Sequence, residues 1–418
     1  MFSVLLAFWL AAAAVAYAYL GFPLVTALVG RLRDRRVRRG PIRPSMTLII
    51  AAYNEADEIV PRLRNALGCR YPAGRLEVLV ASDGSTDGTD ERVLGWGDPR
   101  IRLLSLPRRG KAYALSEAAR QARGEVLVFS DANTLFAPDA LEKLARNFAD
   151  PEVGGVAGHT GYQVADNGES AGRGERLYWR YDTWLKRLET RTGNVVSAHG
   201  GLYAVRKEIF EPPPDPAVTD DFAISTGVVA RGQRLVFDPE AQGHETTASE
   251  SVHEFQRRVR LMTRGLRGAL ILRRSLLNPM RYGFYAISLF SHKVLRRFVP
   301  LLLPVLLVSS LVLQGHGALY RVAALGQLAF YGLALGGWVL RDRRLGRWKA
   351  LYVPFYYCLA NMASLAAFRN VVAGNRIERW DPPRHQEEPA SVAVARTESP
   401  QTLRTRGAVP ASRRVWVK

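Results

Sequence analysis

Three short polar clusters each follow an apolar run of strand length. Tyr53-Asn54-Glu55 follows Met46–Ala51, Asp83-Gly84-Ser85 follows Glu77–Ala81, and Asp131-Ala132-Asn133 follows Glu125–Phe129. One such cluster is an ordinary turn; three in successive strand-end positions form a pattern. Asp131 and Asn133 stand two apart, so on extended backbone both side chains point to one face. One can then reach a ribose while the other reaches a hard divalent cation, Mg2+ or Mn2+, which accepts carboxylate and amide oxygens. Arg108-Arg109-Gly110-Lys111 opens a helix-like stretch, where a helix terminus, a glycine and fixed positive charge suit a diphosphate. Asp220 and Asp221 begin another, Thr219–Arg231. They can cap its positive dipole end, or one carboxylate can act as general base toward an attacking hydroxyl. Cationic groups and a metal would then stabilise the departing diphosphate.

Two other chemistries are excluded. A calcium loop starting at Asp83 needs a bidentate Glu at its twelfth position, where Leu94 stands. The Arg-Arg-Gly-Lys run lacks the upstream glycine and the following Ser or Thr of a nucleotide-hydrolase phosphate loop.

The elements that must carry these residues alternate. Strand-like runs, with a further one at Ile101–Leu104, are separated by helix-like stretches at Glu58–Leu67, Thr89–Trp96, Lys111–Ala122 and Pro138–Phe148. This order predicts an α/β domain with a mostly parallel sheet covered on both faces. Ligands bind beyond the carboxyl ends of such strands, where the polar clusters fall. Pro61 predicts that the first helix starts late, near Glu58, or bends. Further on, Gly174–Arg191 reads as an aromatic-rich helix and Val195–Val205 as an extended stretch interrupted by Gly200 and Gly201. Arg234–Phe237 reads as a strand. Glu250–Leu272 is basic and amphipathic, as suits a helix on a membrane surface.

The 418 residues are 48% hydrophobic, but the apolar residues gather toward the two ends. Phe2–Val29, Phe298–Tyr320, Val322–Leu340 and Ala350–Phe368 contain no Asp, Glu, Lys or Arg. Crossing a bilayer takes roughly 20 helical residues, so each is a candidate span. Ala16-Tyr17-Ala18 imitates a signal-peptide cleavage site, yet no positive residue precedes the long apolar run, so it reads as a retained anchor. The net charge of +20 is concentrated beside these stretches, at Arg31–Arg39 and Arg341–Lys349. That placement reads as cytoplasmic flanks against anionic lipid rather than as a nucleic-acid surface. Cys69 and Cys358 give neither a disulfide framework nor metal-site spacing.

In family order, Ile50–Glu55, Ser82–Asp87, Arg109-Gly110-Lys111, Ser130–Thr134, Thr219-Asp220-Asp221 and Arg257–Arg260 resemble elements of the inverting family 2 glycosyltransferases. These have a GT-A fold, and the likeness is to the membrane synthases related to cellulose, chitin, hyaluronan and poly-N-acetylglucosamine synthases. It covers roughly residues 45–270. It implies that Ala51, Tyr53, Glu55 and Asp83 line the nucleotide base pocket, with Arg109 and Lys111 near the diphosphate. Asp131 and Asn133 stand in the family's Asp-x-Asp element for ribose and metal, with Asn133 in place of the second aspartate. Asp221 takes the catalytic-base position beside Asp220. His199-Gly200-Gly201 falls where acceptor passes close to backbone. Arg257, Arg260 and Leu261 occupy the Gln, Arg and Trp positions of the Gln-x-x-Arg-Trp element, which holds acceptor and pyrophosphate in processive synthases. His244 reads as a structural histidine, with a metal or acceptor contact as the other reading.

The expected protein is a multi-pass inner-membrane transferase with a cytoplasmic catalytic domain, a nucleotide-sugar donor (UDP-sugar first), a saccharide or lipid-linked acceptor, and no nucleic-acid partner. Its expected segments are an anchor (1–30), a basic linker (31–44), the GT-A domain (45–248), interfacial helices (249–297), membrane helices (298–373) and a basic disordered tail (374–418). A single-sugar polyprenyl-phosphate transferase and a non-catalytic sugar-nucleotide receptor are the alternatives. With the amino terminus outside, four crossings leave the tail outside. Arg376, Arg379 and Arg384 prefer the cytoplasm, unless Ala350–Phe368 lies at the interface or re-enters.

Overall fold

The computed structural model describes residues 1–163, 170–246, 251–272, 276–341 and 343–377; most of the tail expected to be disordered lies outside them. Among the described residues, eight strands form one mixed sheet: β1 Met46–Ala52, β2 Leu76–Asp83, β3 Ile101–Leu106, β4 Val126–Asp131, β5 Thr134–Phe136, β6 Val153–Gln163, β7 Tyr203–Arg206 and β8 Arg234–Thr246. Their order is β3-β2-β1-β4-β7-β6-β8-β5. The first four are parallel, β7 is antiparallel to both neighbours, and β6 runs parallel to β8. Every residue of β1 is buried. Ile49 and Ala51 pack on one face with Leu115 and Ala118 of the Lys111–Gln121 helix. Leu48 and Ile50 pack on the other with Ile59 and Leu63 of the Ala56–Leu67 helix. Both faces are therefore covered, and the carboxyl ends of β1, β2 and β4 share one edge.

Some elements differ from expectation. The Ala56–Leu67 helix starts early and contains Pro61. The missing N–H forfeits one hydrogen bond near the first turn, beside the solvent-facing Asp57. The extended stretch over Val195–Val205 shortens to β7, with Val195 to Leu202 forming a buried loop. Strand β6 escaped the sequence pattern because Gly154, Gly155, Gly158 and Gly161 dilute it. Close packing demands them: a methyl on Gly158 would lie 2.6 Å from Leu202 Cγ, and one on Gly154 2.4 Å from Ile209 Cδ1.

Four described helices are long and apolar enough to cross a membrane: Phe2–Arg33, Phe284–Val312, Ala318–Val339 and Lys349–Val372. The second starts at Phe284, before the 297/298 boundary, and carries His292, Lys293, Arg296 and Arg297. It reaches the α/β domain directly, for Tyr285 Oη donates to the Val196 carbonyl at 2.9 Å and His292 Nδ1 lies 2.9 Å from Glu189 Oε1. The basic linker is docked on the α/β domain. Arg35 pairs with Glu152 at 2.8 Å, and Arg234 Nη2 donates to the Arg35 carbonyl at 2.8 Å.

Candidate active site

The loop after β1 is latched to the loop after β2. Asn54, in the left-handed region at φ 51°, donates its N–H to Ser85 Oγ at 3.1 Å. Its Oδ1 accepts from Thr86 N at 2.8 Å. The N–H groups of Glu55 and Ala56 go to Thr89 Oγ1 and Asp87 Oδ2, both at 2.9 Å. Ala51 and Glu55 are buried, and the half-buried Tyr53 ring lies under the Arg108 guanidinium, 3.4 Å from its carbon.

Asp83 ends β2 and grips the basic loop. Its carboxylate accepts from the N–H groups of Arg109 (2.8 Å) and Gly110 (2.9 Å) and from the Arg108 guanidinium. Gly110 sits at φ 98°, a conformation open to glycine at little cost. A carboxylate so occupied holds the loop that opens the Lys111–Gln121 helix, a role the spacing of Asp83 and Gly110 did not reveal.

Lys111 reaches two acids from different elements. Its Nζ lies 2.5 Å from Asp131 Oδ1 at the end of β4 and 3.2 Å from Asp220 Oδ2 at the start of the Asp220–Ala230 helix. Burial opposes its charge, but Asp131 and Asp220 outweigh that and raise its pKa. Burial acts against Asp220 too, yet Lys111 and Arg264 bring its pKa below the ordinary value. Asp221 behaves oppositely: burial, then the neighbouring Asp220 charge, raise its pKa. Two adjacent carboxylates thus have divided properties, one paired and one held ready to take a proton.

The Asp131 and Asp221 side chains converge on Gly200. A methyl there would lie 3.7 Å from Asp221 Oδ2 and 3.8 Å from Asp131 Oδ2. Gly201 is tighter, its added methyl falling 2.6 Å from Glu245 Oε1 and 2.8 Å from Thr160 Cγ2. His199 Nδ1 lies 2.8 Å from Thr160 Oγ1. Burial, then Lys186, push the imidazole down to about 3, so it is neutral near pH 7. His244 pairs with Leu135 in the β5–β8 ladder. Asn133 is half-buried in the turn between β4 and β5. No group of three His, Cys, Asp or Glu side chains gathers as a metal cage among the described residues. Asp131 and Asn133 supply oxygen ligands of the kind a hard divalent cation takes, but too few to complete its shell without oxygens brought by a ligand.

Arg257 lines a cavity of about 620 Å3 that also reaches Asp221, His199 and three of the long apolar helices; Arg260 is not among its lining residues. Sequence reasoning missed two supporting residues. Arg62 is fully buried behind β4, its guanidinium on Ser130 Oγ (3.2 Å), on Asn65 Oδ1 (2.9 Å) and over the Phe136 ring (4.2 Å). Tyr203 stacks on Phe129 at 4.8 Å. Its buried hydroxyl has no hydrogen-bond partner among the described residues. A buried Arg in a helix has no periodic signature, and an aromatic residue in a strand reads as core.

Residues 47–212 match the family model described as Glycosyl transferase family 2. The poly-beta-1,6-N-acetyl-D-glucosamine synthase of Staphylococcus aureus (strain MSSA476) is 28% identical over 201 residues, 46% of this chain and 48% of that protein. An N-acetylglucosaminyltransferase of Mesorhizobium japonicum is 32% identical over 151 residues, 35% of this chain and 32% of that one. The chain therefore spans about half the length, or less, of these curated relatives. Mannosyltransferase PcManGT from Pyrobaculum calidifontis, solved with GDP-Man and Mn2+, has the same fold at a TM-score of 0.66 and 24% identity, over 88% of this chain and 100% of that one.

Proposed function

Since residues 47–212 are a family 2 glycosyltransferase domain on a GT-A fold, we propose that the protein is an inverting transferase. It moves a sugar from a nucleotide-diphosphate donor to a hydroxyl of a saccharide or lipid-linked acceptor. The convergence of Lys111, Asp131, Asp220 and Asp221 beside Gly200 carries this reading. Asp221 accepts the proton of the acceptor hydroxyl, whose oxygen attacks the anomeric carbon opposite the diphosphate. The bond to the diphosphate breaks, and Lys111 and Arg109 stabilise the charge that leaves with it. Asp131 and Asn133 would hold Mg2+ or Mn2+, which supplies further positive charge to the diphosphate. The Mn2+ of the solved mannosyltransferase supports a divalent ion without choosing between the two.

The four apolar helices support a location in the cell membrane, and the Arg31–Arg39 run supports catalysis on the cytoplasmic face. The synthase relatives support polysaccharide or glycoconjugate synthesis, with UDP-sugars the first donors to try. Arg257 and Leu261, standing in the Gln and Trp positions of the processive element, favour short products over long ones.

The test is a panel of labelled nucleotide sugars offered to the membrane-inserted protein with Mg2+, Mn2+ or chelator. One donor is expected to label product only with metal. Asp221→Asn is expected to bind that donor normally and to lose transfer by about a thousandfold, within the usual range for a lost general base. Near-normal transfer by this variant would remove the base assignment.

A further inference from the structure

The Asp220–Ala230 helix must begin at one definite place for Asp221 to meet an acceptor hydroxyl, and its own start does little to fix that place. Among the described residues, the Thr219 side chain makes no capping hydrogen bond. The segment leading into the helix contains Pro212, Pro213, Pro214 and Pro216. Each lacks an N–H, so no strand or helix ladder can hold this segment, and its carbonyls must find hydrogen-bond donors elsewhere. Ala217 N donates to Asp215 Oδ1 at 2.7 Å and Val218 N to the Asp215 carbonyl at 3.0 Å. These local bonds shape the turn without anchoring it to the rest of the protein.

The anchor comes from the Ser251–Ile271 helix. Arg264 on this helix is buried, and its Nη2 donates to the Val218 carbonyl at 2.7 Å and to the Pro216 carbonyl at 3.1 Å. One guanidinium nitrogen thus holds two carbonyls immediately ahead of Thr219-Asp220-Asp221. One turn further on, Gly268 lets the helix backbone approach closely, since a methyl there would lie 2.8 Å from Val218 Cγ1 and 3.0 Å from Phe222 Cδ1. Val218 and Phe222 flank the aspartate pair, so the helix rests against the chain on both sides of it. Arg257, Leu261, Arg264 and Gly268 recur at helical spacing on one face. The first two line the cavity beside Asp221, and the last two take the segment that carries it. The start of that segment is tied as well. Asp215 pairs with Arg376, just past the Lys349–Val372 helix, at 3.1 Å, and its Oδ2 lies 3.8 Å from Arg267 Nε.

We propose that Arg264 is a positioning residue for transfer: by fixing the Pro216–Val218 backbone it sets where the Asp221 carboxylate stands, with the Asp215 pairings as a second support. The inference rests on the transferase reading above and adds to it the residue that aims the base. Arg264 touches neither sugar donor nor acceptor in this scheme and acts only through Asp221.

The test compares full-length, membrane-inserted variants with the nucleotide sugar identified above. Arg264→Met is expected to lower kcat by about a hundredfold, the scale of a 1 Å misplacement, at unchanged KM for the nucleotide sugar. Arg264→Lys keeps the charge and a hydrogen-bond donor but loses the planar fork, and is expected to recover about tenfold of that loss. In an Asp221→Asn background, Arg264→Met is expected to cost nothing further, because a residue that acts through Asp221 has nothing left to position. Should Arg264→Met fail to fold, Asp215→Asn releases the same segment from its other support, and it is expected to lower kcat at unchanged KM. Normal kcat in Arg264→Met (or in Asp215→Asn where the first does not fold), no recovery in Arg264→Lys, a rise in KM as large as the fall in kcat, or a further loss on top of Asp221→Asn would each overturn the proposal while the base assignment stands. A fully active Asp221→Asn would remove that assignment, and this inference with it.

Discussion

At the scale of single residues, the site depends on two neighbouring glycines with different duties. A methyl on Gly200 would meet Asp221 and Asp131 at ordinary contact distance, so Gly200→Ala is expected to fold normally. It fills the gap between the carboxylates, and transfer should drop by about tenfold or more, which is 1.4 kcal/mol of barrier. Gly201→Ala instead forces Glu245 and Thr160 aside and should cost about 1–3 kcal/mol of stability. Thermal melting and kcat measured on both variants separate the effects; a destabilised Gly200→Ala of full activity would contradict this. The paired aspartates give a pH prediction. Burial, then the neighbouring Asp220 charge, raise the Asp221 pKa from its ordinary value. A base works only when deprotonated, so activity falls as pH drops through this raised value. Asp220→Asn removes the repulsion, and the acid limb of kcat is expected to move to lower pH. A limb that stays in place would separate the two titrations.

Among the elements, the β4–β5 turn shows what the sequence concealed. Asp131 and Asn133 were recognisable from spacing, and β4 falls where its apolar run put it. The clamp behind them was not. The Asn65 side chain holds Phe136 at both backbone groups, donating to its carbonyl at 2.9 Å and accepting from its N–H at 2.8 Å. Arg62 holds Asn65 in turn. The Asn65–Phe136 contacts join residues 71 positions apart, and no local pattern encodes such a pair. Arg62→Met is expected to loosen the turn and raise the donor KM by about tenfold, a modest share of what a 1 Å misplacement can cost. The acceptor KM should stay unchanged. Equal effects on both would make Arg62 a general stability residue.

For the whole molecule, the end of the Lys349–Val372 helix bears on the topology conflict. Arg376 Nη2 donates to both Asp215 carboxylate oxygens, at 3.2 and 3.1 Å, and Asn370 Nδ2 reaches Thr263 Oγ1 at 3.4 Å. That end therefore lies against the catalytic domain, as do Arg35 and Tyr285. A cytoplasmic Arg341–Lys349 segment, as the basic run predicts, would put both ends of this helix on one side, and we propose that three helices cross and the fourth does not. An Asn375→Cys reporter in a Cys69→Ser/Cys358→Ser background is expected to react with an impermeant maleimide in inside-out vesicles and to be protected in intact cells. The reverse labelling would restore four crossings.

The sequence by itself determined the alternating strands and helices, the apolar helices and the identity of the polar residues at strand ends. These follow from periodicity, length and turn chemistry, which act over a few residues. Only the tertiary structure decided that Asp83 grips the Arg108–Gly110 loop, that Lys111 pairs with both Asp131 and Asp220, that Asp221 is the carboxylate with the raised pKa, and that Arg264 holds the segment leading into that pair. Those outcomes come from burial and from charges brought together across long stretches of chain. Coulomb interactions and desolvation depend on distance in space, which spacing along the chain does not record.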